Sequence, residues 1–224
     1  MPTATQSTKR RVIAAASTLF AERGYRGTTV RDIAQRARVN LAAAHYHFGS
    51  KETLYIEVLR GQFADMMAEL GKRGGRPGAR PVRAGRAAMR ALLRARIAAM
   101  LDLTLGPPPG LHLTLMMREM CDPSAALPDI VDQFIAPLKR EMETIVVALL
   151  PHVGRHVVEL CVFSIVSQVL FYRQMLPAVE RLIGRHQLTR AWRRATADHI
   201  TDFSVGALQY LAGRGQHGGR RHTP

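Results

Sequence analysis

The chain has 224 residues, of which 47% are hydrophobic, 22% charged and only 6% aromatic. That balance excludes a disordered polar chain, and a core or two small cores can be buried at this length. The 32 lysines and arginines against 17 carboxylates leave a net charge of +15, which points to a polyanionic partner or else to a simply arginine-rich surface. Two cysteines, Cys121 and Cys161, form no metal-type cluster and are expected as buried small hydrophobes in a reduced, cytoplasmic chain. The first 11 residues are polar and basic with no apolar signal core. The most apolar run, 157–171, is interrupted by Glu159, Ser164, Ser167 and Gln168, so no membrane partner is expected.

Helical periodicity runs almost throughout, and strand-like alternation is nearly absent. A first helix is expected over 7–23, with Ile13, Ala16, Leu19 and Phe20 on one face and Gly24 ending it. A polar turn covers 25–28; two short helices and a longer one fill 29–70. Residues 71–86, rich in Gly, Pro and Arg, read as a basic connection. A helix resumes over 87–105, with Met89, Leu92, Leu93, Ile97 and Met100 at three- and four-residue spacing, and GPPPG at 106–110 breaks it. Further helices are expected over 112–120, 128–149, 154–175 and 189–211, and a disordered tail over 213–224.

The stretch 28–54 carries the most information. Thr29 followed by Asp32 is a capping-box start. Val30, Ile33, Ala34 and Ala37 give a short helix a narrow apolar face, and the alanines admit a close neighbour. Arg38-Val39 makes a tight connection with Val39 buried in the angle. Asn40 caps a second short helix, whose inner side carries Ala44 and Phe48 at i and i+4. Leu41, Ala42, Ala43, His45 and Tyr46 lie nearer the outside. Two short helices, a tight turn and a shared apolar corner make a helix-turn-helix. The fold class expected is therefore all-α. An N-terminal three-helix DNA-binding domain, 1–55, precedes a helical ligand-binding and dimerisation domain, 56–212.

On these residues the sequence resembles the TetR family of bacterial repressors. The matching positions run from Ala15, Leu19, Phe20, Gly24, Thr29, Ile33, Ala34, Ala37 and Val39 through Tyr46, Phe48, Lys51, Glu52 and Leu54. Farther on, His112-Leu113, Arg118-Glu119-Met120, Pro123-Ser124-Ala125 and Ile135-x-Pro137 are similar to the C-terminal domain of the CecR-type branch, whose members resemble repressors of transport and efflux genes. The resemblance implies a recognition helix in the major groove. Thr29, Tyr46, His47 and Lys51 match phosphate-side positions, Asn40, Leu41, Ala42, Ala43 and His45 match the groove side, and Arg31 and Arg38 are further candidates for contact with DNA. Three positions depart from the family pattern. Arg38 replaces a usual glycine, either as a strained residue or as a further phosphate contact. His45 replaces an aromatic, and Ala42 a frequent glycine. Leu41, Ala42 and Ala43 can pack on thymine methyls but cannot make bidentate base contacts, which leaves Asn40 and His45 as the polar base contacts and DNA shape for the rest. Lys9, Arg10 and Arg11 form a basic arm that either reaches a neighbouring groove or is solvated.

The resemblance also implies a small-molecule effector in the C-terminal part. Met100, Leu103, His112, Met116, Arg118, Glu119, Phe134, Phe163, Gln168 and Phe171 are its candidate lining, set against ordinary helix core as the alternative. By the same analogy, the helix around 157–172 and that around 192–211 form the face of a homodimer on double-stranded operator DNA. No phosphate loop after a strand, GxSxG or HExxH occurs, so neither an enzyme nor a cofactor or metal is expected. The other functions compatible with this sequence are a non-specific basic nucleic-acid-binding protein and an activator of the same fold.

Overall fold

The computed structural model describes residues 4–74, 85–106 and 111–218, among which every regular element is a helix. In chain order they are α1 (Ala4–Arg23), α2 (Val30–Ala37), α3 (Leu41–Phe48), α4 (Lys51–Gly74), α5 (Arg86–Leu105), α6 (Leu111–Cys121), α7 (Leu127–Ile130), a π turn (Val131–Ile135), α8 (Ala136–Leu149), α9 (Arg155–Gln174), α10 (Leu176–Ile183), a 3-10 turn (Arg185–Gln187) and α11 (Arg190–Gly218). The described residues within 1–67 and 109–135 form one compact unit, and those within 68–108 and 136–224 a second.

In the first unit, α1 supplies Val12, Ala16, Leu19 and Phe20 to a core closed by Ile33, Ala34 and Ala37 of α2, Ala44 and Phe48 of α3, and Leu54, Tyr55, Val58 and Leu59 of α4, all buried. Burying a side chain the size of Phe20 or Ile33 stabilises by roughly 1.5–3 kcal/mol. The Phe20 ring meets Tyr55 edge-on with centroids 4.8 Å apart, a favoured aromatic geometry. Gly24 ends α1 in the left-handed region, φ 75°, and donates its N–H to the Phe20 carbonyl at 2.9 Å. Thr28, fully buried, secures the following turn by donating its hydroxyl to the Gly24 carbonyl at 2.9 Å.

The turn between α2 and α3 has the backbone that its family position implies. Arg38 sits at φ 54°, ψ 47°, and its N–H reaches the Ala34 and Gln35 carbonyls. A non-glycine residue there costs roughly 1–2 kcal/mol. Part of this is offset because glycine has more freedom to lose on folding. Arg38→Gly is therefore expected to stabilise the protein by about 0.5–1 kcal/mol and raise the thermal midpoint by a few degrees. A lower midpoint by calorimetry would contradict the strain argument.

In the second unit, Met89, Leu93, Ile97 and Leu101 of α5 pack with Met142, Ile145 and Val146 of α8, Val158, Val162, Ile165 and Val169 of α9, and Ala197, Ile200 and Leu208 of α11. Ion pairs Arg90–Asp202, Arg94–Asp198 and Arg193–Asp102 join α5 to α11. The Arg94 guanidinium holds the Asp198 carboxyl below its ordinary range, chiefly through their hydrogen bond. The first two pairs are half-exposed and so contribute little each.

Several sequence expectations are corrected. Residues 71–74 extend α4 rather than opening a loop; 75–84 and 107–110 lie outside the described residues. Residues 213–218 continue α11, and the rest of the expected tail is also outside. The 176–187 segment, unassigned from sequence, forms α10 and a 3-10 turn. Val39 is half-buried, not sealed in the angle. Cys121 is exposed where α6 ends and the chain turns toward Pro123, and Cys161 is half-buried, which pushes its thiol up.

Candidate nucleic-acid interface

Local chemistry fixes where α2 and α3 begin. Thr29 Oγ1 accepts the Asp32 N–H at 3.1 Å while Asp32 Oδ2 accepts the Thr29 N–H at 3.1 Å, a reciprocal capping box. The Thr29 hydroxyl, and after it the Thr29 N–H, hold the Asp32 carboxyl below its ordinary range by hydrogen bonding to it. The Thr29 hydroxyl proton is directed at the same carboxylate, at 2.7 Å, so a phosphate contact from it requires the hydroxyl to turn away. Asn40 caps α3 by accepting the Ala42 N–H at 2.9 Å. Gly49 closes α3, its N–H donating to the His45 carbonyl at 2.7 Å.

The outer face of α3 is accessible. Leu41, Ala42, His45 and Tyr46 are exposed, Tyr46 by 85%, and Ala43 and His47 are half-buried. The Tyr46 ring leans edge-on against His47, and His47 in turn against Phe48. Arg31 and Arg38 are exposed beside this helix. Lys51 has a different environment. Its ammonium donates to the Tyr25 carbonyl at 2.9 Å and the Thr28 carbonyl at 3.0 Å, and lies 4.2 Å from the centre of the Tyr25 ring. Two of its three protons thus hold the α1–α2 connection, leaving one for a phosphate. The N-terminal basic residues divide similarly. Lys9 pairs with Glu57 at 2.5 Å, Arg11 donates to the Ala37 and Arg38 carbonyls under the α2–α3 turn, and Arg10 is exposed.

The candidate effector residues are divided between the two units. Arg118 donates from Nε to the Ala21 carbonyl at 2.9 Å and from Nη2 to the Glu22 carbonyl at 3.0 Å, which satisfies the end of α1. Gly24 admits it: a Cβ there would lie 3.3 Å from Arg118 Nη1. Glu119 is completely buried and accepts from the Tyr55 hydroxyl and from the Ser124 N–H and hydroxyl, each at 2.8 Å. Met116 is half-buried in the same unit, and Phe134 packs on Phe63, centroids 5.0 Å apart. In the second unit Met100 is buried and Leu103 half-buried on α5. Phe163 and Phe171 project from α9 with more than half their surface exposed. Gln168 and Phe171 edge an open recess of about 390 Å³ with Ser167, Tyr172, His199 and Ile200. The His112 side chain lies outside the described residues.

Sequence reasoning missed the partners Tyr55 and Ser124. Burial, followed by the bond to Glu119, pushes the Tyr55 hydroxyl well above its ordinary value of 10. A group whose folded pKa is raised stabilises fully below its unfolded pKa and loses that contribution as pH climbs above it. Tyr55→Phe is expected to cost about 1–3 kcal/mol at neutral pH by leaving Glu119 under-satisfied. It should also flatten the loss of stability above pH ~10. Urea titrations at pH 7 and above pH ~10 check both effects; equal alkaline slopes for the two proteins contradict the assignment.

Two short helices at a capped, tight turn, with an exposed outer face on the second, define a helix-turn-helix DNA-binding protein. Residues 12–58 match the model "Bacterial regulatory proteins, tetR family", and residues 89–208 match "HTH-type transcriptional dual regulator CecR, C-terminal domain". The second match covers more than half of the sequence, and the chain belongs to the TetR family of transcriptional regulators, with a CecR-type C-terminal domain. It is 50% identical over 54 residues to the HTH-type transcriptional repressor KstR2 of Rhodococcus jostii, covering 24% of this chain and 26% of that protein. It is 47% identical over 47 residues to the biofilm operon regulator IcaR of Staphylococcus aureus, covering 21% and 25%. The matches span only about a quarter of these relatives. Among solved structures, a transcriptional regulator from Pseudomonas aeruginosa PAO1 superposes with TM-score 0.66 at 17% identity, covering 90% of this chain and 92% of that one. AibR, crystallised with isovaleryl coenzyme A and operator DNA, gives 0.62 at 18%, covering 89% and 97%. At these identities the likeness is one of fold.

Proposed function

We propose that the chain is a homodimeric repressor that a small molecule releases from a palindromic operator, with transport or efflux genes as its targets. The observation that carries this reading is the exposed face of α3 beside the arginines of α2 and its C-cap. Residues 1–55 serve as the DNA-binding part and 56–212 as the effector and dimer part. Arg31, Arg38, Tyr46 and His47 donate to phosphates, with Thr29 and the remaining proton of Lys51, while Asn40, Leu41, Ala42, Ala43 and His45 face the bases.

Support for the dimer comes from α9 and α11. One stripe of α9, Val158, Val162, Ile165 and Val169, is buried within the chain. A second stripe, Leu160, Phe163 and Phe171, is exposed, as are Phe203 and Tyr210 on α11. A helix apolar on both sides needs a second cover. Alone among the described helices, α9 has the length and apolar composition to cross a membrane. Glu159 in its first turns pairs with Lys139 at 3.0 Å, and Ser164, Ser167 and Gln168 interrupt it, which favours a second protein chain as the cover.

The effector site belongs to the second unit, with Met100 and Leu103 of α5 at its wall. Arg118 and Glu119 hold α6 to α1 and α4. AibR's complex with an acyl-coenzyme A and operator DNA supports a fold that takes both partners. An activating role on the same DNA site is the second reading, favoured by the words "dual regulator" in the matched family's description. Native mass spectrometry with a duplex from the promoter beside the protein's own gene tests the assembly. Two chains per duplex are expected, and a single bound chain contradicts the dimeric reading.

A further inference from the structure

The groove face of α3 has few polar atoms, and the structure restricts what each can do. Leu41, Ala42 and Ala43 bear none. Asn40 Oδ1 accepts the Ala42 N–H at 2.9 Å, so while it caps α3 one lone pair of that oxygen is taken and the amide is held against the helix start, which leaves it poorly placed for the two-point contact to adenine. His45 Nδ1 lies 3.2 Å from the Gly49 carbonyl oxygen. A carbonyl oxygen only accepts, so the proton of this bond sits on Nδ1. A neutral imidazole has one ring proton, and Nε2 is then a bare acceptor. His45 shares the exposed face with Leu41 and Ala42, four and three residues earlier.

We infer that His45 reads the operator through Nε2 as a hydrogen-bond acceptor and selects a base bearing an exocyclic amine, cytosine or adenine, at one fixed position of each half-site. This rests on the operator-binding reading above. In the major groove only cytosine N4 and adenine N6 present a donor, whereas guanine and thymine present oxygen or nitrogen lone pairs at the corresponding edge. Moving the proton to Nε2 to suit guanine or thymine forfeits the bond from Nδ1 to the Gly49 carbonyl. The Gly49 carbonyl therefore fixes the tautomer, and the tautomer fixes the class of base. One contact of this kind is worth about 5- to 10-fold in affinity, the lower end of what a two-point base contact supplies. The binding is also sensitive to amine methylation, because in a paired base the methyl group of N4-methylcytosine or N6-methyladenine replaces the hydrogen that faces the groove.

The test is selection from random duplexes by the full-length protein and by His45→Ala. It is run at pH 8, above the range in which imidazoles ordinarily carry charge. Anisotropy titrations of the selected site and its single substitutions follow. The wild type is expected to prefer cytosine or adenine at one half-site position where His45→Ala binds all four bases within about twofold. Placing the N4- or N6-methylated base there should weaken the wild type about 5- to 10-fold and leave His45→Ala unchanged. The methylated duplex probes the unaltered protein, so the inference stays testable even where the variant folds poorly. A preference for guanine or thymine at that position, no position levelled by His45→Ala, or indifference of the wild type to the methyl group overturns the inference while leaving operator binding intact. Enrichment of no sequence at all overturns the operator reading itself.

Discussion

Arg96→Met is expected to destabilise the second unit by about 3–5 kcal/mol, a large fraction of what a small domain has. Arg96 is 1% exposed on α5, and its partner Glu141 on α8 is 11% exposed. Arg96 Nε donates to Glu141 Oε1 at 2.7 Å, and Nη2 is directed at the same oxygen. Arg96 Nη1 and Glu141 Oε2 are buried without a protein partner. The pair is therefore an imperfectly satisfied buried ion pair, costly to break and not strongly stabilising as a whole. Removing only the arginine strands the carboxylate. Removing both charges in Arg96→Met/Glu141→Leu restores an apolar contact of similar volume, so the double variant should return to within about 1 kcal/mol of the wild type or exceed it. Denaturant titrations of the two single variants and the double variant form the cycle. A single-variant loss under about 1 kcal/mol would mean that water reaches the pair, and the account of this core would be wrong.

Phe163→Asp together with Phe203→Asp is expected to separate the proposed dimer while leaving each chain folded. Both side chains are more than half exposed, so a carboxylate at either position is hydrated in the single chain. At a two-fold interface each substitution occurs twice. An anchor aromatic is worth about 2 kcal/mol or more, so even one of these changes should weaken dimerisation about a thousandfold. Operator affinity should follow, since two linked half-site readers gain about 10²–10⁴ over one. Sedimentation velocity and circular dichroism should report a folded monomer. An unchanged dimer would place the interface elsewhere, and an unfolded chain would mean that these residues pack within it.

Much of the DNA-binding part is legible in the sequence because its determinants are local. The α2 start follows from Thr29 and Asp32, the α3 start from Asn40, the end of α1 from Gly24, and the inner faces from Ile33, Ala34, Ala37, Ala44 and Phe48. Even the strained turn could be anticipated, since a position that needs left-handed backbone is filled by Arg38. The misses have equally physical causes. Residues 71–74 look like a loop by composition, yet they need only continue a helix already nucleated in α4. The eight residues of α10 carry Pro177 near their start, where its missing N–H costs nothing, and a proline there reads as a break. Arg118 and Glu119 could be recognised as polar groups requiring partners, but not assigned to them. Apart from Ser124, five residues after Glu119, their partners lie 64 to 97 positions away, at Tyr55 and at the end of α1, and no local pattern encodes such distances. The groove face is legible in residue types only. That His45 Nδ1 is already engaged by backbone is visible only in three dimensions.

The central claim, sequence-specific DNA binding, is tested most directly by fluorescence anisotropy. The full-length protein is titrated against the promoter fragment beside its own gene and against a scrambled duplex of equal length, at two salt concentrations. The account predicts binding to the promoter tighter than to the control by about a thousandfold or more at physiological salt. Equal binding to both duplexes that collapses with added salt, as counterion release dictates, would contradict it and leave a basic helical protein with no operator at that promoter.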